Sequence, residues 1–263
     1  MVNCLLKNPS YFCSANDFIF LTPLRFSLLS RMYPSTFSSE QTRLDEANFV
    51  SRVYAWMSLA LFLTAVTAFF VASSPALLNV IFGNKLVFYG LLLGQLGLVF
   101  YLSSALMRLS ASTATALFLG YSVLNGLTMA FIFIIYTAGS IASTFLITAG
   151  IFGIMSAYGF YTKKDLTSIG NLCFMGLIGV VLASIVNIFW QNSTFYWITT
   201  CIGVLVFVGL IAYDTQKLKV LNATQHEGVD NGQQKALYGA LTLYLDFINL
   251  FLLMLRLLGG RRD

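Results

Sequence analysis

The hydrophobic residues of this chain are gathered into seven blocks, each about as long as a membrane is thick. A helix needs about 20 apolar residues to cross the hydrocarbon core. The polar connections are short, except for the stretch from Lys217 to Ala236. The pattern predicts an all-α membrane protein, a seven-transmembrane-helix bundle that forms one domain over residues 32–263. The predicted blocks are 53–72, 86–107, 114–136, 141–161, 172–190, 195–213 and 237–258.

Residues 1–31 do not fit this pattern of spanning blocks. Their apolar stretch, residues 18–29, is too short to span a membrane and is interrupted by Pro23 and Arg25. Met32 follows at once and opens a polar segment. We interpret residues 1–31 as an N-terminal extension that the fold does not need, with an interfacial anchor as the alternative.

Glycines recur at helical spacing in the second block. Gly90, Gly94 and Gly97 are separated by four and three residues, which keeps them on one side of a helix. Small residues at such spacing let neighbouring helices approach closely in a membrane. We expect these glycines to pack against another helix, without a functional role.

The basic residues predict the orientation of the bundle. Cytoplasmic loops of membrane proteins carry an excess of lysine and arginine. The odd-numbered loops carry only Lys85, so the N-terminus is predicted to be cytoplasmic. The C-terminal tail disagrees, because a full last span would place its arginines outside; a re-entrant last block is the alternative, and we favour the full span. The N-terminal flank and even-numbered loops carry Arg31, Arg43, Arg52, Arg108, Lys163, Lys164, Lys217, Lys219 and Lys235.

Composition supports membrane lipid, and not nucleic acid, as the surroundings of this protein. Hydrophobic residues make up 58% of the chain and charged residues 10%, whereas soluble domains carry about 25% charged residues. The net charge of +5 is spread over short loops, singly or in pairs. Positive-inside topology explains that distribution, so no nucleic-acid partner is predicted.

Cysteine and histidine offer no metal or catalytic centre in the sequence. Cys4, Cys13, Cys173 and Cys201 form no CxxC pair, and His226 is the single histidine. A disulfide framework, a zinc site and serine–histidine catalysis are therefore not expected. No cofactor is predicted.

Three charged residues lie within or at the ends of the apolar blocks. Asp246 is nine residues into the last block, about 13 Å deep at the rise of an α-helix, and Asp214 and Arg108 lie at cytoplasmic helix ends. Ionisable groups at such positions usually face a polar interior. Asp214 also fits a helix-end carboxylate in interfacial water, and Arg108 a topology determinant. We expect all three to meet in the inner half of the bundle.

The last block also carries a polar stripe. Tyr238, Thr242, Asp246, Asn249 and Arg256 follow one another in steps of four, four, three and seven residues, which places them on one helix face. A lipid-facing helix would not carry such a stripe. We predict that this face lines a cavity, with Tyr238, Thr242 and Asn249 as pore-lining residues.

Two carboxylates converging in a low-dielectric cavity have a definite chemistry. Both cannot easily be ionised together, so they titrate as a unit. Oxygen ligands of this kind suit a hard cation such as calcium, and protons compete with the cation for the same oxygens. The residues therefore predict a pH-sensitive cation path in which Asp214 and Asp246 bind the ion.

Four motifs resemble those of the Bax inhibitor-1 family, also called the transmembrane Bax-inhibitor-motif family. The most specific is LYLDFINLFLLMLRLLG at residues 243–259, which is similar to the C-terminal signature of the family almost throughout. The others are AYDTQKLK at 212–219, YTKKDL at 161–166 and TALFLGYSVLNGLT at 115–128. The resemblance extends from about residue 43 to the C-terminus.

This resemblance implies a fold and a function. The family fold is a bundle of seven helices with the last helix central. Bacterial members are described as pH-sensitive calcium leak channels with a paired-aspartate sensor, which matches Asp214 and Asp246 here. Arg108 matches an arginine that acts as a latch holding the path shut. The family is also linked to suppression of cell death and to binding a membrane protease, and the expected location is a bacterial inner membrane, or an endomembrane in a eukaryote.

Rival functions remain open at this point. An intramembrane aspartyl protease would use Tyr213–Asp214, but Asp246 lies in LYLD where GxGD is needed, and a PAL motif occurs only upstream at residues 75–77. We therefore predict that the protein is not an enzyme. The alternatives to a channel are a non-conducting regulator that binds other membrane proteins, such as a protease or cell-death factors, and a proton-coupled antiporter.

Overall fold

A computed structural model describes residues 35–223 and 232–262. The proposed extension, residues 1–31, and His226 lie outside the described residues. The chain divides into an N-terminal unit, Met1–Asp45, whose described part is helical, and a large helical unit, Glu46–Asp263. In order, the described elements are α1 Ser35–Ala72, α2 Pro75–Phe82, α3 Lys85–Ala105, a 3₁₀ turn Leu106–Arg108, α4 Ala111–Met129, α5 Phe131–Ile135, α6 Ala138–Tyr161, α7 Thr167–Trp190, α8 Ser193–Ala223 and α9 Gly232–Leu258.

The described residues contain seven helical segments long and apolar enough to cross a membrane. This confirms the predicted all-α membrane fold. The third segment joins α4 and α5, and α2 is a short helix between the first two spans that the hydrophobic blocks did not reveal. The spans are Leu44–Ala72, Lys85–Arg108, Ala111–Ile135, Ala138–Tyr161, Thr167–Trp190, Ser193–Leu221 and Gly232–Leu258.

Polar side chains in the short loops cap the spans. The side-chain oxygens of Asn84, Ser110 and Thr137 accept backbone N–H groups at the starts of α3, α4 and α6. Such caps satisfy N–H groups that a helix cannot pair internally. Asp165 accepts the amide of Thr167 at 2.9 Å and its hydroxyl at 2.6 Å, and these bonds lower the pKa of the Asp165 carboxyl.

The last helix is the centre of the bundle, as predicted. α9 has fifteen buried residues and packs against α8, α6, α4 and the 3₁₀ turn. In α7, by contrast, Gly170 is the one buried residue. Most of the large apolar side chains of α7 are exposed, as expected for a helix that faces lipid. The helix that carries Asp246 is therefore the one most shielded from lipid.

The C-terminal tail lies beside the connection between α5 and α6. The amide of Thr137 donates to the carbonyl of Gly260 at 3.3 Å, and the amide of Arg262 donates to the carbonyl of Ile135 at 2.8 Å. α9 is a continuous helix, and its two ends lie at opposite ends of the bundle. This geometry favours the full last span over a re-entrant one.

The prediction that Gly90, Gly94 and Gly97 pack closely against another helix is wrong. A Cβ atom at any of the three would have no heavy atom within 4 Å, so these glycines face open space. Other glycines do allow neighbouring helices to approach closely. Gly159, for example, lies against the backbone of Ala212. Helical spacing could not distinguish these sets, because spacing fixes a common face and not what that face meets.

A buried hydrogen-bond network ties α9 to α1, α3 and α4. The Tyr244 hydroxyl bonds to the hydroxyl of Thr64 at 2.8 Å and accepts the side-chain amide of Asn125, also at 2.8 Å. Asn125 in turn accepts from the amide of Gln95 at 2.7 Å. Tyr244 lies two residues before Asp246, so the two side chains leave α9 about 200° apart. The network thus holds one face of α9, and Asp246 occupies another.

Candidate functional site

The structure brings Asp214 and Asp246 together, as the sequence predicted. Their carboxyl groups lie within hydrogen-bonding reach of each other, although 31 intervening residues separate them along the chain. A hydrogen bond between two carboxyl groups requires one proton, because an ionised carboxylate can only accept. The two residues therefore form a single site that can hold a proton or offer its oxygens to a cation.

Asp246 is held deep inside the bundle by α9. Its side chain is 6% exposed, and its Oδ2 atom has no hydrogen-bond partner among the described residues. α9 begins at Gly232, five residues earlier than predicted, so Asp246 lies fourteen residues from its start and twelve from Leu258. Asp246 is therefore close to the middle of its helix, and its predicted depth of about 13 Å in the membrane stays a prediction.

Asp214 is half-buried on α8, nearer the end of its helix. Two residues further on, Gln216 accepts the amide of Leu166 at 2.9 Å and donates to the carbonyl of Lys164 at 2.8 Å. Lys219 donates to the carbonyl of Phe160 at 2.9 Å. These bonds fix the end of α8 to the connection between α6 and α7, and so fix the depth of Asp214. Its reading as a free helix-end carboxylate does not hold, because it contacts Asp246.

The cation near the pair is Lys217, which sequence reasoning assigned to topology alone. Lys217 interacts electrostatically with Asp214 and lies 5.9 Å from the centroid of the Tyr213 ring. Its position three residues after Asp214 was a usable signal, because residues at that spacing are neighbours on a helix. Arg108 is exposed at the end of the 3₁₀ turn, and that turn packs against α9. Its role as a latch stays a prediction.

A cavity of about 240 Å³ adjoins Asp214. Tyr238 and Thr242 of α9 line it together with Asp214 and Lys217 of α8. Asn249 is not among its lining residues; its side-chain amide donates to the carbonyl of Leu245 in its own helix. The polar stripe of α9 therefore faces α8, and the cavity lies at its first half. The pore-lining role of Tyr238, Thr242 and Asn249 stays a prediction.

The donor set suits transient binding of a hard cation. Within the described residues, no group of three or more histidine, cysteine or acidic side chains could hold a metal ion. Calcium takes six to eight oxygen ligands, so the two carboxyls would need backbone, hydroxyl or water oxygens to complete a shell. Such a site can hold an ion weakly, which is what a conduction path requires.

The geometry of a protease is incomplete around the same pair. Asp214 and Asp246 do meet, as the carboxyls of an aspartyl dyad must. The only PAL sequence, however, begins α2 at Pro75, next to the end of α1. Val71 of α1 and Ile81 of α2 pack with Ala130, where α4 meets α5. α2 thus lies at the end of the bundle where the C-terminal tail meets the α5–α6 connection, and Asp214 lies near the opposite end.

These features define a multi-pass membrane protein in which a buried aspartate on the central helix contacts a second aspartate on the neighbouring helix. A family model described as "Inhibitor of apoptosis-promoting Bax1" matches residues 46–263. The chain belongs to this family, the Bax inhibitor-1 family, which confirms the resemblance seen in the motifs.

Three relatives match nearly their whole length. The inner membrane protein YbhL of Escherichia coli K12 is 49% identical over 231 residues, which are 88% of this chain and 99% of that protein. An uncharacterized protein of Borreliella burgdorferi is 43% identical over 224 residues, 85% of this chain and 97% of the relative. A further uncharacterized protein, from Rickettsia prowazekii, is 41% identical over 235 residues, 87% of this chain and 97% of the relative.

Proposed function

We propose that this protein is a pH-sensitive calcium leak channel of a bacterial inner membrane, with Asp214 and Asp246 as its ion-binding and proton-sensing pair. The observation that carries the proposal is the contact between these two carboxyl groups on the central helix and its neighbour. The location is supported by the name of the Escherichia coli relative, an inner membrane protein.

The surroundings of the pair support a path for cations. Asp246 Oδ2 is buried without a partner, so it is an oxygen that a passing ion can use. The cavity lined by Tyr238 and Thr242 reaches Asp214, and it provides room for a hydrated ion to approach from that end of the bundle. A buried carboxyl oxygen without a partner is costly to maintain, and a functional role explains its presence.

The expected pH dependence follows from competition between protons and calcium. In acid, the pair is protonated and carries no net charge to attract a divalent cation. As pH rises, the pair loses its protons, and the resulting carboxylates favour calcium. Calcium flux should therefore be low in acid and rise toward alkaline pH.

Calcium entry into proteoliposomes tests the proposal. The full chain is reconstituted with an internal calcium dye, and initial rates are recorded from acidic to mildly alkaline pH. Asp246→Asn and Asp214→Asn should each lose most of the pH dependence, because an amide keeps the shape of the side chain but cannot titrate. The double variant should be far from additive, since either change uncouples the pair.

Asp165→Asn is the matched control. Asp165 is an exposed carboxyl in a loop near the same end of the bundle, and asparagine can keep its cap on α7. This variant should retain the wild-type pH profile. If both pair variants also retain it, the paired-carboxylate mechanism is wrong. If the wild-type protein conducts no calcium at all, the better interpretation is a non-conducting regulator that binds other membrane proteins.

A further inference from the structure

The far half of α9 carries an arginine whose surroundings differ from those of the aspartate pair. Arg256 lies two residues before the end of α9, and its guanidinium carbon is 5.5 Å from the centroid of the Tyr196 ring on α8. A guanidinium over an aromatic face is held by the ring quadrupole, which orients it without neutralising its charge. Arg256 is therefore positioned by Tyr196, and its charge is still available to an anion.

A cavity of about 290 Å³ opens beside Arg256, between α7, α8 and α9. Its lining includes Asn187, whose Oδ1 accepts the amide of Asn192 at 3.2 Å. With that oxygen engaged, the Nδ2 donors of Asn187 can serve a ligand, as can the hydroxyl of Tyr196. Thr199 and Thr200 also line the cavity, and their hydroxyls donate to the carbonyls of Phe195 and Tyr196 in their own helix. Guanidinium, amide and phenol donors around one cavity are suited to an oxyanion.

The charge of the cavity lining also favours an anion. Among the described residues that line the cavity, Arg256 is charged and none is a carboxylate. An anionic ligand, and not a zwitterionic one, complements this unbalanced positive charge.

The level of the cavity in the membrane identifies the source of that anion. Trp190 and Trp197 flank it on α7 and α8 and are 73% and 60% exposed. Tryptophan is enriched at the depth of lipid headgroups, where its ring is partly in hydrocarbon and partly in water. On the cytoplasmic side of membranes, basic pockets between helices bind anionic lipid headgroups, and the same attraction between guanidinium and phosphate acts in either leaflet.

We propose that the cavity beside Arg256 binds the phosphate of an anionic phospholipid, in the leaflet on the side of the α7–α8 connection. Tyr196 orients the guanidinium, Arg256 neutralises the phosphate, and Asn187 donates to it. The site is independent of the aspartate pair, because it lies at the opposite half of α9 and shares no lining residue with the cavity at Asp214.

Native mass spectrometry of the purified full chain tests this site. The probes are phosphatidylglycerol and phosphatidylethanolamine with identical acyl chains, titrated separately, and the dissociation constant of the first bound lipid is compared. The wild-type chain should prefer phosphatidylglycerol by about fivefold, the factor expected for one basic residue at a membrane surface. Arg256→Gln should lose that preference, and Arg256→Lys should retain part of it, because lysine keeps the charge but loses the planar fork.

Arg262→Gln is the matched control, since its guanidinium already donates to the carbonyl of Phe133 at 3.3 Å. It should keep the wild-type lipid preference. If Arg256→Gln fails to fold, Tyr196→Leu serves instead, because it removes the ring that orients the guanidinium. An unchanged lipid preference in the folded Arg256 or Tyr196 variant overturns the site. Displacement of bound phosphatidylglycerol by millimolar inorganic phosphate would show a free-anion site and overturn the lipid assignment.

Discussion

At the scale of single residues, the free-energy cost of an ionised side chain inside a membrane explains why Asp246 contacts a second carboxyl group. An ionised aspartate at the centre of a spanning helix costs about 2.5 to 3.5 kcal/mol on insertion scales. Asp246 is buried near the middle of α9, and the group it contacts is the carboxyl of Asp214. A pair that shares a proton reduces that cost. In the proposed function, the same pair binds a cation once the proton leaves, so that proton sensing and ion binding are two states of one contact.

Arg108 provides a prediction at the same scale. It lies exposed on the 3₁₀ turn that packs against α9, so removing its side chain leaves the buried pair intact. If Arg108 acts as a latch, Arg108→Ala should raise the calcium leak several-fold at acidic pH. The rate should still increase as the pH rises, because the aspartate pair is unchanged. The measurement is the initial dye-reported rate in proteoliposomes. Lys85→Ala removes a cation at the start of α3 and should change nothing; an unchanged rate in Arg108→Ala would end the latch hypothesis.

At the scale of elements, a few backbone contacts set how closely the helices pack. Gly159 of α6 lies against the backbone of Ala212 in α8, two residues before Asp214. Gly239 of α9 is in similar contact with the side chains of Leu218 and Val53. These contacts hold α6 and α9 against α8, and therefore determine the separation of the two carboxyl groups.

Gly159→Ala should separate α6 from α8, because the added methyl group would overlap the carbonyl of Ala212. Overpacking of this kind costs about 1 to 3 kcal/mol, which outweighs the gain in helix propensity of about 1 kcal/mol. A fall in the thermal unfolding midpoint in detergent would show it. Gly90→Ala is the matched control, since a Cβ there has open space and should leave the midpoint unchanged or slightly higher. Equal midpoints for the two variants would contradict this packing.

At the scale of the whole molecule, the packing separates two ends of the bundle, which the predicted topology assigns to the two sides of the membrane. The charged connection between α6 and α7 is bonded to the inner end of α8, while the C-terminal tail pairs with the α5–α6 connection at the other end. Seven spans, counted within the described residues, place the start of the first span and the end of the last on opposite sides of a membrane. In the predicted orientation the tail lies outside despite the positive-inside tendency, and the bonds of Arg262 to Ile135 and Phe133 help to hold it there.

Cysteine labelling tests this orientation in intact cells. Lys163→Cys and Gln191→Cys are introduced singly into a chain whose four native cysteines are serine. A membrane-impermeant reagent should label position 191 directly, and position 163 only after the membrane is permeabilised, because positive loops stay in the cytoplasm. Strong external labelling at position 163 would reverse the orientation.

The sequence by itself determined the number of spans, the central place of the last helix through its family motifs, and the identity of the aspartate pair. Span length is a local property, because about 20 apolar residues must be contiguous to cross a membrane. A carboxylate in such a block is visible without any structure. The seven spans, the pairing of Asp214 with Asp246 and the family could therefore all be predicted.

Only the tertiary structure decided which surfaces meet. The glycines in close contact include Gly159 and Gly239 but none of the three predicted in α3, because periodicity defines a helix face but not its neighbour. The position of Lys217 beside Asp214, the start of α9 at Gly232 and the place of Arg256 against Tyr196 depend on contacts between helices distant in sequence. A charged side chain in a membrane span indicates a function once the residues that it contacts are known, and those contacts depend on the fold.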